Sequence, residues 1–280
     1  MIADIALTAT WRQVKASYAL VERNVNLSKR YWGWEVAFLV YTIAQSMAIV
    51  YIAQAPNAVS GQHIDTRFMV LYLAIGTLTW SYMASLFVAI AESVQWERWE
   101  GTIEYTMMAP ISRLTYMLGS CLFGVIYGLG RVAVVLVVLI LMFHLTANGD
   151  GMLPALAIVG VGSISFVGIG IMAATLPLLF TEKGAQMTYV IEALLLLLSG
   201  VYYPVSVLPA WMQPISHLSP ATYVLSGTRD VLLRHPTHGV LVENLVPLAL
   251  IGIVTVPLGI WLWSWAEHFA KRTGRLKRTG

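Results

Sequence analysis

The chain has 280 residues, 58% of them hydrophobic and only 11% charged, with a formal net charge of +3, and its mean hydropathy is +0.72. A soluble domain carries about 25% charged residues, so a chain this poor in charge cannot face water over its whole surface, which excludes an ordinary soluble domain. Its apolar runs are long enough to cross a bilayer as helices and do not alternate as barrel strands would, so the composition predicts an all-α integral membrane protein. The isoelectric point near 9.0 comes mostly from the two ends, an asymmetry that speaks of membrane orientation rather than of nucleic acid. The single cysteine, Cys121, lies inside an apolar run and reads as a small core residue.

Residues 1–30 lack the continuous apolar core and small-residue cleavage site of a signal peptide. Trp11, Val14, Tyr18, Val21 and Val25 recur at alternating spacings of three and four, with Arg12, Lys15, Glu22, Arg23, Lys29 and Arg30 on other faces or at the end. The spacing predicts an amphipathic helix lying in the interface, its basic residues toward anionic headgroups; a helix packed on a partner uses the same pattern. A first span is expected over 34–52, opened by an aromatic belt of Tyr31, Trp32 and Trp34, with a loop over 54–66. A second, over 67–91, is rich in hydroxyl and aromatic groups, among them Tyr72, Thr79 and Tyr82. Such groups serve as glue between helices or as the lining of a substrate path, and with Tyr41 and Gln45 of the first span, Arg131 of the third, and Tyr202 and Tyr203 at the end of the fifth, they are pathway candidates.

Residues 96–113 form the most polar run between two long apolar segments. At the helical period Trp96, Trp99, Ile103 and Met107 share one face, and Glu97, Gly101 and Glu104 share a flank with Glu100 at its border. Pro110 ends the pattern, so a short amphipathic helix with an acidic flank is expected over 94–112. It serves either as an interfacial anchor or as a docking element that takes force from a cytosolic partner. A third span follows over 114–145 and is long enough to require tilt or a kink. It carries Arg131 near its middle, where a lone cation must face protein or water. The fourth, 153–180, is interrupted by glycines and Pro177; the fifth, 187–203, is short and carries Glu192, ending in Tyr202 and Tyr203. The proline-rich stretch 204–241 is too broken to span and predicts re-entrant or interfacial helices, with Trp211 as an anchor. The sixth span is expected over 246–265.

Two of these stretches resemble a known family. Glu97, Gly101, Thr102, Ile103, Glu104, Pro110, Ile111, Ser112 and Arg113 stand where permeases of the ABC-2 transporter family show an E-x-x-x-G-T-[LI]-E…P-[IV]-[ST]-R pattern. The run S-G-V-Y-Y-P-V-S-V-L-P…I-S-x-L-S-P-A-T-Y…R, from Ser199 to Arg229, is similar to that family's segment before the last span. The resemblance implies the type V exporter architecture: six transmembrane helices, an N-terminal interfacial helix, a cytoplasmic coupling helix and short extracellular re-entrant helices. It implies that Glu97, Glu100, Gly101, Thr102, Glu104, Pro110 and Arg113 belong to the segment that seats in a separate ATPase subunit. It also implies a second permease copy or paralogue as partner.

Basic residues agree with that placement. With an even number of spans, one side holds both termini, Arg98, Arg113 and Lys183, and the other holds Arg67, Arg229 and Arg234. Both termini are therefore expected in the cytoplasm of a multi-pass inner-membrane protein. The chain has no G-x-x-x-x-G-K-[ST] phosphate loop, so no nucleotide cofactor is expected on it; ATP and Mg belong to the partner ATPase. It has no H-E-x-x-H and no cysteine cluster, and His235 with His238 reads as a plain loop pair, so no metal site is expected. Glu92 and Glu192 read as proton-relay or interfacial groups, and Arg131 as an anion contact or a structural pair. The expectation is a permease subunit, not an enzyme alone, that exports a small hydrophobic or amphipathic compound such as a drug or natural product. Alternatives are a polysaccharide or lipid-linked glycan permease and an ATP-independent proton-coupled carrier or channel.

Overall fold

In the computed structural model of the chain, residues 2–60, 66–109, 111–143, 149–180, 183–233 and 238–274 are described. Their regular structure is helical: α1 (Ile2–Arg30), α2 (Trp32–Ser60), α3 (Arg67–Glu100), α4 (Ile103–Met108), α5 (Arg113–Phe143), α6 (Met152–Leu179), α7 (Gly184–Leu198), α8 (Gln213–Ser216), α9 (Pro220–Leu233) and α10 (His238–Arg272). Among the described residues, five helices are long and apolar enough to cross a membrane, namely the Trp32–Ala55 part of α2, all of α3, Thr115–Phe143 of α5, all of α6 and Gly239–Arg272 of α10. A helix satisfies its own backbone hydrogen bonds, which is what lipid requires of a segment that crosses it.

The helices divide the work unequally. The apolar window of α3 is 78% buried inside the chain, whereas those of α2, α5 and α10 are 17% buried. The protein is thus built around α3, with the others turning apolar faces such as Val36, Val40, Ile126, Leu141, Ile253 and Trp261 outward. In water that surface would aggregate; against lipid tails it is the matching solvent. The main core joins Tyr82, Met83, Leu86, Phe87 and Ile90 of α3 to Ile158 and Phe166 of α6 and Val224 and Leu225 of α9. A smaller cluster joins Val50 of α2, Val70 and Leu73 of α3, and Val135 and Leu139 of α5.

Close packing rests on small residues, as expected where lipid removes the hydrophobic drive between helices. The α6–α10 pair is the most extensive in the bundle. At Gly168 an added Cβ would lie 2.4 Å from Thr255 Oγ1 and 2.6 Å from the Thr255 carbonyl carbon; at Gly259 it would lie 2.7 Å from the Gly168 carbonyl oxygen. Ser165 donates to the Leu248 carbonyl at 2.7 Å, a second tie between the same helices.

Several boundaries differ from those the sequence predicts. α2 continues to Ser60 instead of giving way to a loop at 54, and α10 begins at His238, absorbing the end of the proline-rich stretch and running through Pro247 and Pro257. α6 is continuous despite its glycines, which pack against neighbours rather than break the helix. α7 ends at Leu198, not Tyr203, because Gly200 adopts φ +68° and turns the chain away. At 15 residues it is about 22 Å long. It runs antiparallel beside α3: near its start Tyr189 donates to Glu92 at 2.8 Å, and just past its end Gly200 accepts from Arg229, which also binds Tyr72.

Gly168→Val should overpack the α6–α10 contact and lower stability by about 2 kcal/mol, read as a lower thermal midpoint of the purified chain in detergent. Gly160→Ala, with nothing within 4 Å of the added carbon, should leave the midpoint unchanged or slightly raised.

Candidate functional site

The acidic segment does not form the single helix its periodicity predicts. α3 runs straight on through Trp96–Trp99 and stops at Gly101, whose φ of 73° and ψ of 18° are left-handed. The Thr102 N–H bonds the Glu97 carbonyl at 2.9 Å and the Gly101 N–H bonds the Arg98 carbonyl at 3.2 Å. These two bonds are the Schellman ending of a helix, which favours glycine at this position. The chain then turns into α4. The break splits the expected groupings: Ile103 and Met107 are buried, whereas Trp96 and Trp99 are exposed. Glu97, expected on one flank with Gly101 and Glu104, is buried, at 2% exposed, whereas Glu104 is exposed.

Glu97 is held there by Arg23 of α1, whose Nη1 lies 2.7 Å from Oε1. The hydroxyls of Thr106 and Tyr116 lie beside the same carboxylate. The next residue, Arg98, is also buried, and its Nη2 donates to the Leu178 carbonyl in the last turn of α6. A cation there meets the negative end of the helix dipole. Tyr116 of α5 in turn packs, with its ring tilted by 31°, at 6.2 Å against the buried Trp263 of α10. Gln13 of α1 accepts from Ser112 N–H at 3.2 Å and from the Thr115 hydroxyl at 2.5 Å, fixing the start of α5. One compact joint therefore ties α1, α4, α5, α6 and α10 to the foot of α3. α1 leaves Trp11, Val14 and Tyr18 exposed.

What remains on the surface of the elbow is Glu100, Glu104, Tyr105 and Met108, the last two 74% and 73% exposed, flanked by Trp96 and Trp99. Trp96 packs at 6.1 Å on Tyr31 and at 5.3 Å on Trp99. Pro110 lies outside the described residues, and of Arg113 only the backbone, as the first residue of α5, is described. His235 also lies outside them.

The pathway candidates separate into four groups. Thr79 and Tyr82 are buried within the chain, and the Tyr82 hydroxyl pairs with Ser163 of α6 at 2.9 Å. Tyr72 lies under Arg229, 3.7 Å from ring centroid to guanidinium carbon. Tyr41 and Gln45 are exposed on α2, with Tyr202 near Tyr41; Tyr203 donates to the Leu197 carbonyl at 2.5 Å. Arg131 donates to the Phe38 carbonyl at 2.7 Å and the Thr42 hydroxyl at 2.5 Å, so it meets helix oxygens of α2. Beside it, the Tyr127 hydroxyl donates to Glu35. Sequence reasoning singled out neither Arg23 nor Gln13: both are ordinary polar positions on an amphipathic helix, and only the fold shows where each points.

With this geometry in view, comparison with known proteins is informative. The ABC-2 type transporter family matches residues 15–233. The chain is 23% identical over 194 residues to the probable multidrug ABC transporter permease YbhR of Escherichia coli K12, covering 69% of this chain and 51% of that protein. It is 27% identical over 187 residues to the inner membrane transport permease YadH of the same strain, covering 64% and 72%. To the probable multidrug ABC transporter permease YbhS it is 25% identical over 189 residues, covering 66% and 48%. The chain thus spans about half the length of YbhR and YbhS. The family match takes in α3, the elbow and the segment through α9, and the chain belongs to the ABC-2 type transporter family as a membrane-embedded permease.

Proposed function

We propose that this chain is the membrane subunit of an exporter driven by ATP hydrolysis on a separate chain, and that it moves a hydrophobic or amphipathic compound outward. The observation that carries this reading is the joint at the foot of α3. Glu97 and Arg98, adjacent in sequence, are both buried and grip α1 and α6, while Glu100, Glu104, Tyr105 and Met108 project from the same elbow. A load applied to the exposed part cannot be absorbed by a loose loop; it passes to five helices at once. The family's known partner, an ABC ATPase, supplies such a load when ATP closes it. Motion follows only where the partner binds the elbow differently in its two states.

Six crossings fit this reading. α7 is shorter than the roughly 20 residues that a crossing helix needs. Yet with its terminal turn it passes the stretch of α3 from Glu92 to Gly76, about 24 Å of depth at 1.5 Å per residue. Six crossings place both termini on the elbow's side, and the basic residues set that side in the cytoplasm. Tyr41 and Gln45 face out of the single chain, with the half-buried Tyr202 near Tyr41, which supports a passage completed by a second permease copy rather than one enclosed here. The likeness to YbhR and YbhS, both probable multidrug permeases, supports a drug-like substrate for this chain.

Glu104→Lys should weaken copurification of the ATPase subunit without reducing membrane insertion; unchanged copurification would remove the elbow from the docking surface. At the joint, Arg23→Ala should cost more than Glu97→Gln, because the first leaves a buried carboxylate unpaired and the second leaves a cation whose side chain is 36% exposed. Breaking a fully buried pair costs about 3–5 kcal/mol, so the Arg23 variant should approach the lower part of that range. Thermal midpoints of the two purified variants test the order.

A further inference from the structure

The far end of α3 carries a second buried cation that the function so far does not use. Arg229 of α9 is 7% exposed, and among the described residues no carboxylate pairs with it. Its guanidinium is instead spent on oxygens of two other helices. Nη1 donates to the Gly200 carbonyl at 2.9 Å and to the Tyr72 hydroxyl at 3.1 Å, Nε donates to the Tyr72 carbonyl at 3.3 Å, and Nη2 donates to the Val201 carbonyl. The Tyr72 ring lies against the guanidinium carbon at 3.7 Å. Gly200 and Val201 sit just past the end of α7, where carbonyls lack helical partners and a cation is favoured.

The approach is close enough to dictate a glycine. At Gly76 of α3 an added Cβ would stand 2.2 Å from Arg229 Nη2 and 2.5 Å from the Val201 carbonyl oxygen. Hydroxyls close the same contact from the α8 side: Ser199 pairs with Ser219 at 2.8 Å, Ser216 donates to the Leu198 carbonyl, and Thr222 donates to the Ser216 carbonyl at 2.7 Å. A cation with this many fixed acceptors, taken out of water, cannot let go without being left buried and unpaired.

We infer that Arg229 is a positioning residue that binds the outer ends of α3, α7 and α9 into one block that stays intact through the transport cycle. The passage opens around this block and not through it. The assignment of these ends to the outer face, and the existence of a cycle, rest on the reading under Proposed function; the block itself does not.

Two measurements decide it, both on the full chain carrying Cys121→Ser. In the first, Val201→Cys, at a position fully buried in the native chain, is treated with a polar maleimide after purification in detergent. Val207→Cys, at a position 68% exposed, serves as the accessible control. With Arg229 present position 201 should label far more slowly than position 207. Arg229→Ala should raise the rate at 201 by about tenfold or more, as expected where a buried site is reached only by local opening, and Arg229→Lys should fall between. Equal labelling at 201 with and without Arg229 would overturn the assignment. In the second, the pair Ser199→Cys and Ser219→Cys is oxidised to join the end of α7 to the start of α9, leaving Arg229 in place. ATP hydrolysis by the complex with its ATPase subunit should be the same before and after oxidation. A loss that reductant restores would show that the block must open. If no ATPase copurifies with the reduced chain, the exporter reading fails, and the labelling rates still decide whether Arg229 holds the block.

Discussion

The fold turns on a carboxylate removed from water. Glu97 is buried at the foot of α3 and has one strong counterion, Arg23, brought in by the N-terminal helix. A charge in such a place needs a well-placed partner, and meeting that need fixes how α1 lies across the bundle. The same turn of α3 sends Arg98 into the last carbonyls of α6. Both charges are thus neutralised by other elements and not by each other. The spine helix cannot shift along its axis without disturbing α1 and α6 together.

The two ends of α3 are built on one principle with different chemistry. At the elbow a cation and an anion meet across α1 and α3. At the other end a cation meets carbonyl oxygens, an aromatic face and a glycine that leaves it room. Between them the helix is largely buried and closely packed, with the Tyr82–Ser163 bond among its polar ties to α6. Such a rod transmits displacement, because interiors packed to this density are stiff. α2 and α5, whose apolar windows are mostly exposed, meet through Arg131, which donates to Phe38 and Thr42, and through Tyr127, which donates to Glu35.

Much of this was legible in the sequence and some was not, for definite reasons. Membrane character, the long apolar helices and the broken region before the last one follow from hydropathy, which is a property of composition over a window. Gly101 as a helix stop is written in the sequence as a glycine between two helical patterns, but periodicity alone carried the predicted helix straight through it. Reading through it put Trp96 and Trp99 on one face with Ile103 and Met107, and Glu97 on one flank with Glu104, groupings that the turn at Gly101 separates. The inward turn of Glu97 was not legible, because its cause lies 74 positions away in Arg23, one of several basic residues on an amphipathic helix. Arg229 was legible by its charge, its side of the membrane and its place at the end of the family-like run, but not by what it binds. Its acceptors are backbone carbonyls, and no sequence pattern marks a carbonyl as waiting for a cation. Gly76 is the residue that points to it, since a glycine inside a helix costs stability and needs a reason.

The central claim is that an engine outside this chain grips the elbow after α3. A photoactivatable amino acid placed at Tyr105, exposed on α4, tests it in membranes of the native host cells, with the same group at Leu218, beyond α8, as the opposite-end control. The account predicts a cross-link from position 105 to an ATP-binding protein and none from position 218. Cross-links to that protein from 218 and not from 105 would contradict it.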